Sequence, residues 1–250
     1  MNRYFVQRAI NAVGEDSGKV QSKKDTLLTR LTSQMQDVEE LRNQTLALLF
    51  AGRDTTAGLL GWAFMRLAVH PDIFTKLREI ILQEFAPGEP ISFVKLKGCR
   101  YLQHFLNEVL RLHPLVPFNN RIAAKDTTLP VGGGPDQKSP VAARKGQTIN
   151  YSVYLMHRRK DLWGEDALEF KPERWEQKVP AWQFLPFNGG PRICLGQQFA
   201  LTEASFLVVR LLQEFDEIEP VDRTGMERFR KAIGITMWPG EGVKVRLHRA

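Results

Sequence analysis

Between Asp37 and about Ala68 the chain contains no proline, and Leu41, Leu48, Leu59 and Leu67 sit in a run dominated by helix formers. With no pyrrolidine ring to remove a donor or clash with the preceding turn, nothing in this stretch obliges a helix to stop. One long, largely buried helix is expected, and a fold that accommodates it is mainly α. His70-Pro71-Asp72 then interrupts the run, because the residue before a proline is pushed out of the helical region. Ile73, Leu77, Ile80 and Ile81 recur at helical spacing until Pro87-Gly88, which predicts a second, amphipathic helix. A third is expected from about Tyr101 to His113, where Leu102, Phe105, Leu106 and Val109 form one apolar stripe and Pro114 terminates it. On this helix Glu108 and Arg111, three apart, share a face.

Between Arg121 and Tyr151 the texture changes to short β-type pieces separated by Gly132-Gly133-Gly134-Pro135 and by Lys145-Gly146, which predicts a small hairpin-rich sheet. From Phe170 to Arg192 prolines, tryptophans and glycines favour an ordered but irregular loop. Another helix follows Gly196, with Ala200, Ala204, Leu207 and Leu211 as its apolar face and Glu203 and Arg210 off that stripe. Residues Gly14 to Asp25, rich in Gly, Ser, Lys and Asp, read as an exposed loop or linker. The expected organisation is one domain, mainly α with a small β region, in which 1–36 form an N-terminal segment and loop and 37–250 carry the helices and the site. No internal repeat is present.

Composition narrows the function classes. At 250 residues, 43% hydrophobic and 25% charged, the chain is long enough to bury a sizeable core. A formal charge of +7 and a pI of about 9.5 favour an acidic partner or an anionic surface. The basic residues are dispersed without aromatic interleaving, so a nucleic-acid reader is disfavoured. Only Cys99 and Cys194 are present, far apart, which argues against a disulfide framework. The apolar run from Thr55 to Met65 stops at Arg66, too short to span a bilayer, and Met1 to Ile10 lacks the core of a signal peptide. Gly132-Gly133-Gly134 lacks the spacing of a dinucleotide loop, and Gly14 to Val20 fails as a P-loop because Val20 stands where Ser or Thr is required. No GxSxG or HExxH occurs, and His70, His104, His113, His157 and His248 do not cluster in sequence, which disfavours a zinc enzyme.

The stretch from Phe187 to Gly196 (FNGGPRICLG) places a lone cysteine in a Gly-rich turn at a helix start. Backbone N–H groups and the positive end of a helix dipole stabilise a thiolate there, and glycines let a flat cofactor approach the backbone. Two other readings fit a cysteine in isolation: a buried free thiol behind a turn, or a nucleophile needing a nearby histidine base. The full spacing resembles the haem-binding signature of the cytochrome P450 family at Phe187, Gly190, Arg192, Cys194 and Gly196. Three further motifs follow the family's order: Ala51-Gly52-Arg53-Asp54-Thr55-Thr56 inside the long helix, Glu108-Val109-Leu110-Arg111, and Pro172-Glu173-Arg174-Trp175. Tyr154, His157 and Arg158 continue the pattern, so the resemblance covers the chain from about Val38 onward. The wording Ala51 to Ala57 is most similar to fungal members that hydroxylate alkanes and fatty acids.

The resemblance implies a P450 fold, C-terminal part only, and a haem b cofactor (iron protoporphyrin IX) with Cys194 as axial thiolate. Arg192 and Arg121 pair with haem propionates, and Phe187 packs near the thiolate. Asp54 and Thr55 serve oxygen activation: a threonine bonded back one turn opens a groove in the helix, and the acid feeds protons inward. Glu108, Arg111 and Arg174 form a buried charge network that holds the loop around the cysteine. The implied reaction splits O2 and hydroxylates a C–H bond of a hydrophobic, lipid-like substrate with electrons from an NADPH-cytochrome P450 reductase, at the cytosolic face of the endoplasmic reticulum membrane. The family's membrane anchor and early helices have no counterpart in the motifs read here. The alternative expectation is therefore a non-catalytic fragment that keeps the motifs but binds haem weakly or not at all.

Overall fold

A computed structural model describes residues 6–7 and 26–250. The loop expected at Gly14–Asp25 lies outside the described residues, as does most of the segment Met1–Ile10. The chain divides into two compact units, residues 1–55 and 56–250.

In the first unit, helix α1 (Leu27–Gln34) opens on a capping box in which the Thr26 hydroxyl accepts from the Thr29 N–H. Asp37 caps the next helix: its carboxylate accepts from the backbone N–H groups of Glu39 and Glu40 at 2.8 and 3.0 Å. That helix, α2 (Val38–Val69), is the long one expected from the missing prolines; its residues up to Thr55 belong to the first unit and those from Thr56 to the second. It is not buried throughout, however. Leu48, Leu49 and Phe50 are exposed, whereas Leu59, Trp62, Ala63, Met65, Leu67 and Ala68 are buried. Leu46 to Phe50 is apolar on all sides rather than striped, so helix formation alone does not choose a face to cover.

In the second unit, Pro71 opens α3 (Pro71–Glu84), which stops three residues short of Pro87. A short helix α4 (Phe93–Gly98), capped by Ser92, was not anticipated by periodicity. It leads into α5 (Arg100–Leu112), whose inward residues Leu102, Phe105, Leu106 and Val109 are fully buried against a core that includes Trp62, Leu77 and Ile81. The strands form separate two-stranded antiparallel ladders, not one sheet. Strand β1 (Phe118–Ile122) precedes the hairpin of β2 (Thr127–Gly133) and β3 (Ser139–Ala143), and β4 (Thr148–Ser152) returns to pair with β1.

Gly133 shows why that hairpin carries three glycines. A Cβ there would sit 2.8 Å from the Pro140 carbonyl oxygen and 3.1 Å from that of Ser139, both backbone atoms that cannot swing away. Gly133→Ala is expected to cost about 1–3 kcal/mol by overpacking, read as a lower urea midpoint; an unchanged midpoint would show that the hairpin shifts freely.

Two short helices, α6 (Val153–Met156) and α7 (Lys160–Trp163), and a 3-10 turn at Pro172–Glu176 lead to the irregular loop and a second 3-10 turn at Gly190–Arg192. Helix α8 (Gln197–Glu214) then buries Ala204, Ser205, Val208, Val209 and Leu212. Of the expected stripe only Ala204 is buried; Ala200 and Leu211 are partly covered and Leu207 is exposed. Because α8 carries apolar residues on most of its circumference, tertiary contact and not periodicity selects the buried row. The C-terminal region, which the sequence reading left without strands, forms β5 (Phe215–Pro220), α9 (Arg223–Glu227), β6 (Lys231–Ile233), β7 (Met237–Pro239) and β8 (Val245–Arg249). Strand β5 pairs with β8, and β6 with β7. The start of β7 is tied into the core: the Met237 N–H donates to the Leu115 carbonyl at 2.8 Å, and the Trp62 indole N–H donates to the Met237 carbonyl at 3.2 Å.

Candidate functional site

Glu108 and Arg111 face inward from the last turns of α5, and both side chains are 0% exposed. Their contact is bidentate: Arg111 Nε donates to Glu108 Oε2 and Nη2 to Oε1, each at 2.8 Å. The remaining guanidinium donors go to the carbonyls of His157, Ala167 and Glu169, so all five N–H groups of Arg111 are used. Glu108 also accepts from the Lys171 backbone N–H at 2.9 Å and from the Trp175 indole at 3.1 Å. Arg174 sits farther out than the expected three-residue network suggests. Its Nε lies 3.6 Å from Glu108 Oε1 without a hydrogen bond, while Nη1 donates to Asp166 and to the Trp163 carbonyl, each at 2.9 Å. Asp166, whose carboxyl is lowered from its ordinary value first by its hydrogen bond from Arg174, is thus a fourth member that sequence reasoning missed. No local spacing rule marks a partner eight residues upstream in an irregular loop.

The loop leading to Cys194 closes on itself. Asn188 adopts φ +66° and Gly190 φ +72°, the left-handed region where Asn is tolerated and Gly favoured. The reversal brings the Cys194 N–H to the Phe187 carbonyl at 2.9 Å and the Ile193 N–H to that of Gly190 at 3.1 Å. Gly196 caps α8 without a side-chain hydrogen bond, and a Cβ on it would stand 4.0 Å from the Cys194 sulfur. The two cysteines differ sharply. Cys99 is fully buried, and desolvation pushes its thiol up to about 12, whereas Cys194 is exposed. Beside the loop runs a cleft of about 360 Å³, lined among others by Asn107, Trp182, Phe184, Phe187 and Leu201.

Arg192 is exposed next to the cysteine. Arg121, on β1, donates to the Asn120 carbonyl at 2.8 Å and lies 5.6 Å over the Tyr151 ring. In the first unit, the Thr55 hydroxyl bonds back to the Ala51 carbonyl at 2.7 Å, and Asp54 accepts from Arg53 Nε at 2.7 Å on an exposed face. Among the described residues, no helix is long and apolar enough to cross a membrane.

The sequence profile of the cytochrome P450 family matches this chain over residues 5–242. The chain belongs to the cytochrome P450 family. The match begins well before Val38, from which the motifs alone placed the resemblance. Similar P450s include the cytochrome P450 monooxygenase alt2 of Alternaria solani, 56% identical over 248 residues that make up 96% of this chain and 46% of the relative. Cytochrome P450 52A13 of Debaryomyces hansenii is 49% identical over 98% of this chain and 48% of its own length. Cytochrome P450 52A1 of Candida tropicalis is 46% identical, again over 98% of this chain and 46% of its own length. The chain spans about half the length of these curated relatives. The fold class read from the sequence, mainly α with a small β region, agrees with this membership.

The residues around Cys194 suit the P450 family's haem. The exposed Cys194 lies between Ile193 and Leu195, which are 53% and 90% exposed, with the exposed Arg192 two residues before it and Phe199, 71% exposed, in the first turn of α8. Apolar side chains left open around one soft ligand atom, with a guanidinium at the edge, match a flat apolar macrocycle bearing carboxylates.

Proposed function

We propose that this chain carries the haem-thiolate site of a monooxygenase that hydroxylates a C–H bond of a hydrophobic, lipid-like substrate. The observation that carries the reading is the exposed Cys194 thiol, presented by a closed Gly-rich loop amid uncovered apolar residues at the start of α8. Cys194 would hold the iron of haem b, and Arg192 and Arg121 the propionates, with Phe187, Gly190 and Gly196 shaping the loop. A thiolate-bound haem supplies the binding and activation of O2, so that one oxygen atom enters the C–H bond and the other leaves as water. Thr55, tied back to Ala51, would keep an oxygen lone pair available to hold a water, and Asp54 would pass protons towards it. Glu108, Arg111 and Arg174 would hold the loop in place from the core side. Electrons are assigned to an NADPH-cytochrome P450 reductase at the endoplasmic reticulum membrane, an acidic partner being favoured by the chain's charge of +7. The lipid-like substrate rests on the Ala51–Ala57 wording, which resembles that of fungal members hydroxylating alkanes and fatty acids.

The test is the absorption difference spectrum of the haem-loaded chain, reduced with dithionite, with and without carbon monoxide. A strongly red-shifted Soret band is expected in the wild type and its complete loss in Cys194→Ala. Failure of the wild type to take up haem would favour the fragment reading, and an unchanged band in Cys194→Ala would remove Cys194 as ligand. Substrate-dependent NADPH consumption with reductase and a fatty acid then separates a catalyst from a haem binder.

A further inference from the structure

The cysteine loop is gripped from outside at two points, and both grips come from one short stretch, the end of β4 and the turn after α6. The Leu185 backbone N–H donates to His157 Nε2 at 2.9 Å. That contact makes Nε2 the acceptor and leaves the proton on Nδ1, which faces the Arg111 carbonyl at 3.2 Å. His157 is fully buried, with its ring 5.1 Å from that of Phe184 and 6.0 Å, edge-on, from that of Trp163, so it has no room to swing. At the second point the Tyr151 hydroxyl donates to Asn188 Oδ1 at 2.7 Å, and the same oxygen accepts from the Gly189 N–H at 3.0 Å. Asn188 is the residue at φ +66°, where a side chain is held at some strain. Tyr151 therefore fixes the rotamer that closes this local ring and keeps the turn left-handed.

We propose that Tyr151 and His157 are positioning residues for Cys194: they lock 185–189 in the one turn from which the Phe187 carbonyl takes the Cys194 N–H, and so fix the direction of the sulfur. Neither residue belongs to the haem-signature spacing. The consequence for the iron rests on the haem-thiolate reading above; the grip itself does not. Because Arg121 lies over the Tyr151 ring, one side chain touches both the cysteine loop and a residue assigned to a propionate. His157 likewise connects the buried Arg111 to the loop through a single ring.

The experiment uses Tyr151→Phe, which removes one oxygen atom, and His157→Phe, which keeps a ring but leaves the Leu185 N–H without its acceptor. In the haem-loaded protein, the red-shifted carbon monoxide band is expected to decay to the unshifted form about tenfold faster in each variant, the scale of one lost hydrogen bond. In an Asn188→Gly background, Tyr151→Phe is expected to change that decay by less than about twofold, because glycine holds φ +66° unaided. Decay at the wild-type rate in Tyr151→Phe, with or without a lower Tm, overturns the proposal, as does an undiminished effect in the Asn188→Gly background. Amide hydrogen exchange of Leu185 and Gly189 in haem-free protein gives a second readout, expected to speed up by about tenfold in each variant. Unchanged exchange overturns the grip even where the wild type shows no red-shifted band, a result that by itself would sink only the haem reading.

Discussion

Glu108→Gln is expected to remove about 3–5 kcal/mol of stability, the usual cost of stranding a buried charge. The substitution keeps the shape of the side chain and fails for a geometric reason. Oε1 faces Arg111 Nη2, the Lys171 N–H and Arg174; Oε2 faces Arg111 Nε and the Trp175 indole N–H. Whichever way the amide is turned, its NH2 group meets donors and finds nothing to accept from it. The Arg111 charge, 0% exposed, would then be held by carbonyl dipoles alone. Against a typical domain stability of about 5–15 kcal/mol, a loss of this size unfolds a large fraction of the protein at moderate denaturant. Urea unfolding followed by tryptophan fluorescence measures it. A loss below about 1 kcal/mol would mean that the pair behaves like a surface ion pair and does not anchor the loop.

Acidification is expected to weaken the fold well above the range where most carboxylates titrate. Burial pushes His157 down to about 3, and burial together with the nearby Arg66 charge holds His113 well below its ordinary 6.5. Both rings are committed as neutral acceptors, His157 from the Leu185 N–H and His113 Nε2 from Arg66 at 2.9–3.1 Å. Below pH 6.5 the unfolded chain binds a proton at each histidine that the folded chain refuses, so stability is present above 6.5 and falls as the pH drops towards the folded values. The slope is at most about 1.4 kcal/mol per pH unit for each group. Between pH 6.5 and 4.5 the two histidines together are expected to withdraw about 3–5 kcal/mol. Asp166, held low by Arg174, adds to the loss only at lower pH. Urea midpoints at half-unit pH steps test this. A flat profile down to pH 5 would show that one or both rings are hydrated and titrate normally.

The helices were legible where proline placement and apolar spacing both spoke. Tyr101 to His113 read as helix because one stripe of Leu102, Phe105, Leu106 and Val109 ends at Pro114; the structure has Arg100–Leu112, and the buried side includes that stripe. The same rule misjudged α8, where apolar residues occur nearly all round and the buried row became Ala204, Ser205, Val208, Val209 and Leu212. It also overstated the burial of α2 around Leu48 to Phe50. The C-terminal ladders escaped it because β5 pairs with β8 between positions 25 or more apart in the chain, as in the pairing of Pro220 with Val245.

For the candidate site, the sequence by itself marked out the candidate residues: a lone cysteine in a Gly-rich turn, an acid and an arginine three apart on one helix, and an acid-alcohol pair inside another. These signals are local, set by residue type and by spacings within one or two turns of chain. Only the tertiary structure decided their partners. It gave Arg174 to Asp166 and the Trp163 carbonyl, closed Glu108 with Trp175 and the Lys171 N–H, and set His157 and Tyr151 against the cysteine loop. Hydrogen bonds between positions 8 to 67 residues apart follow from how buried donors find acceptors when the core closes, and no periodicity along the chain encodes that.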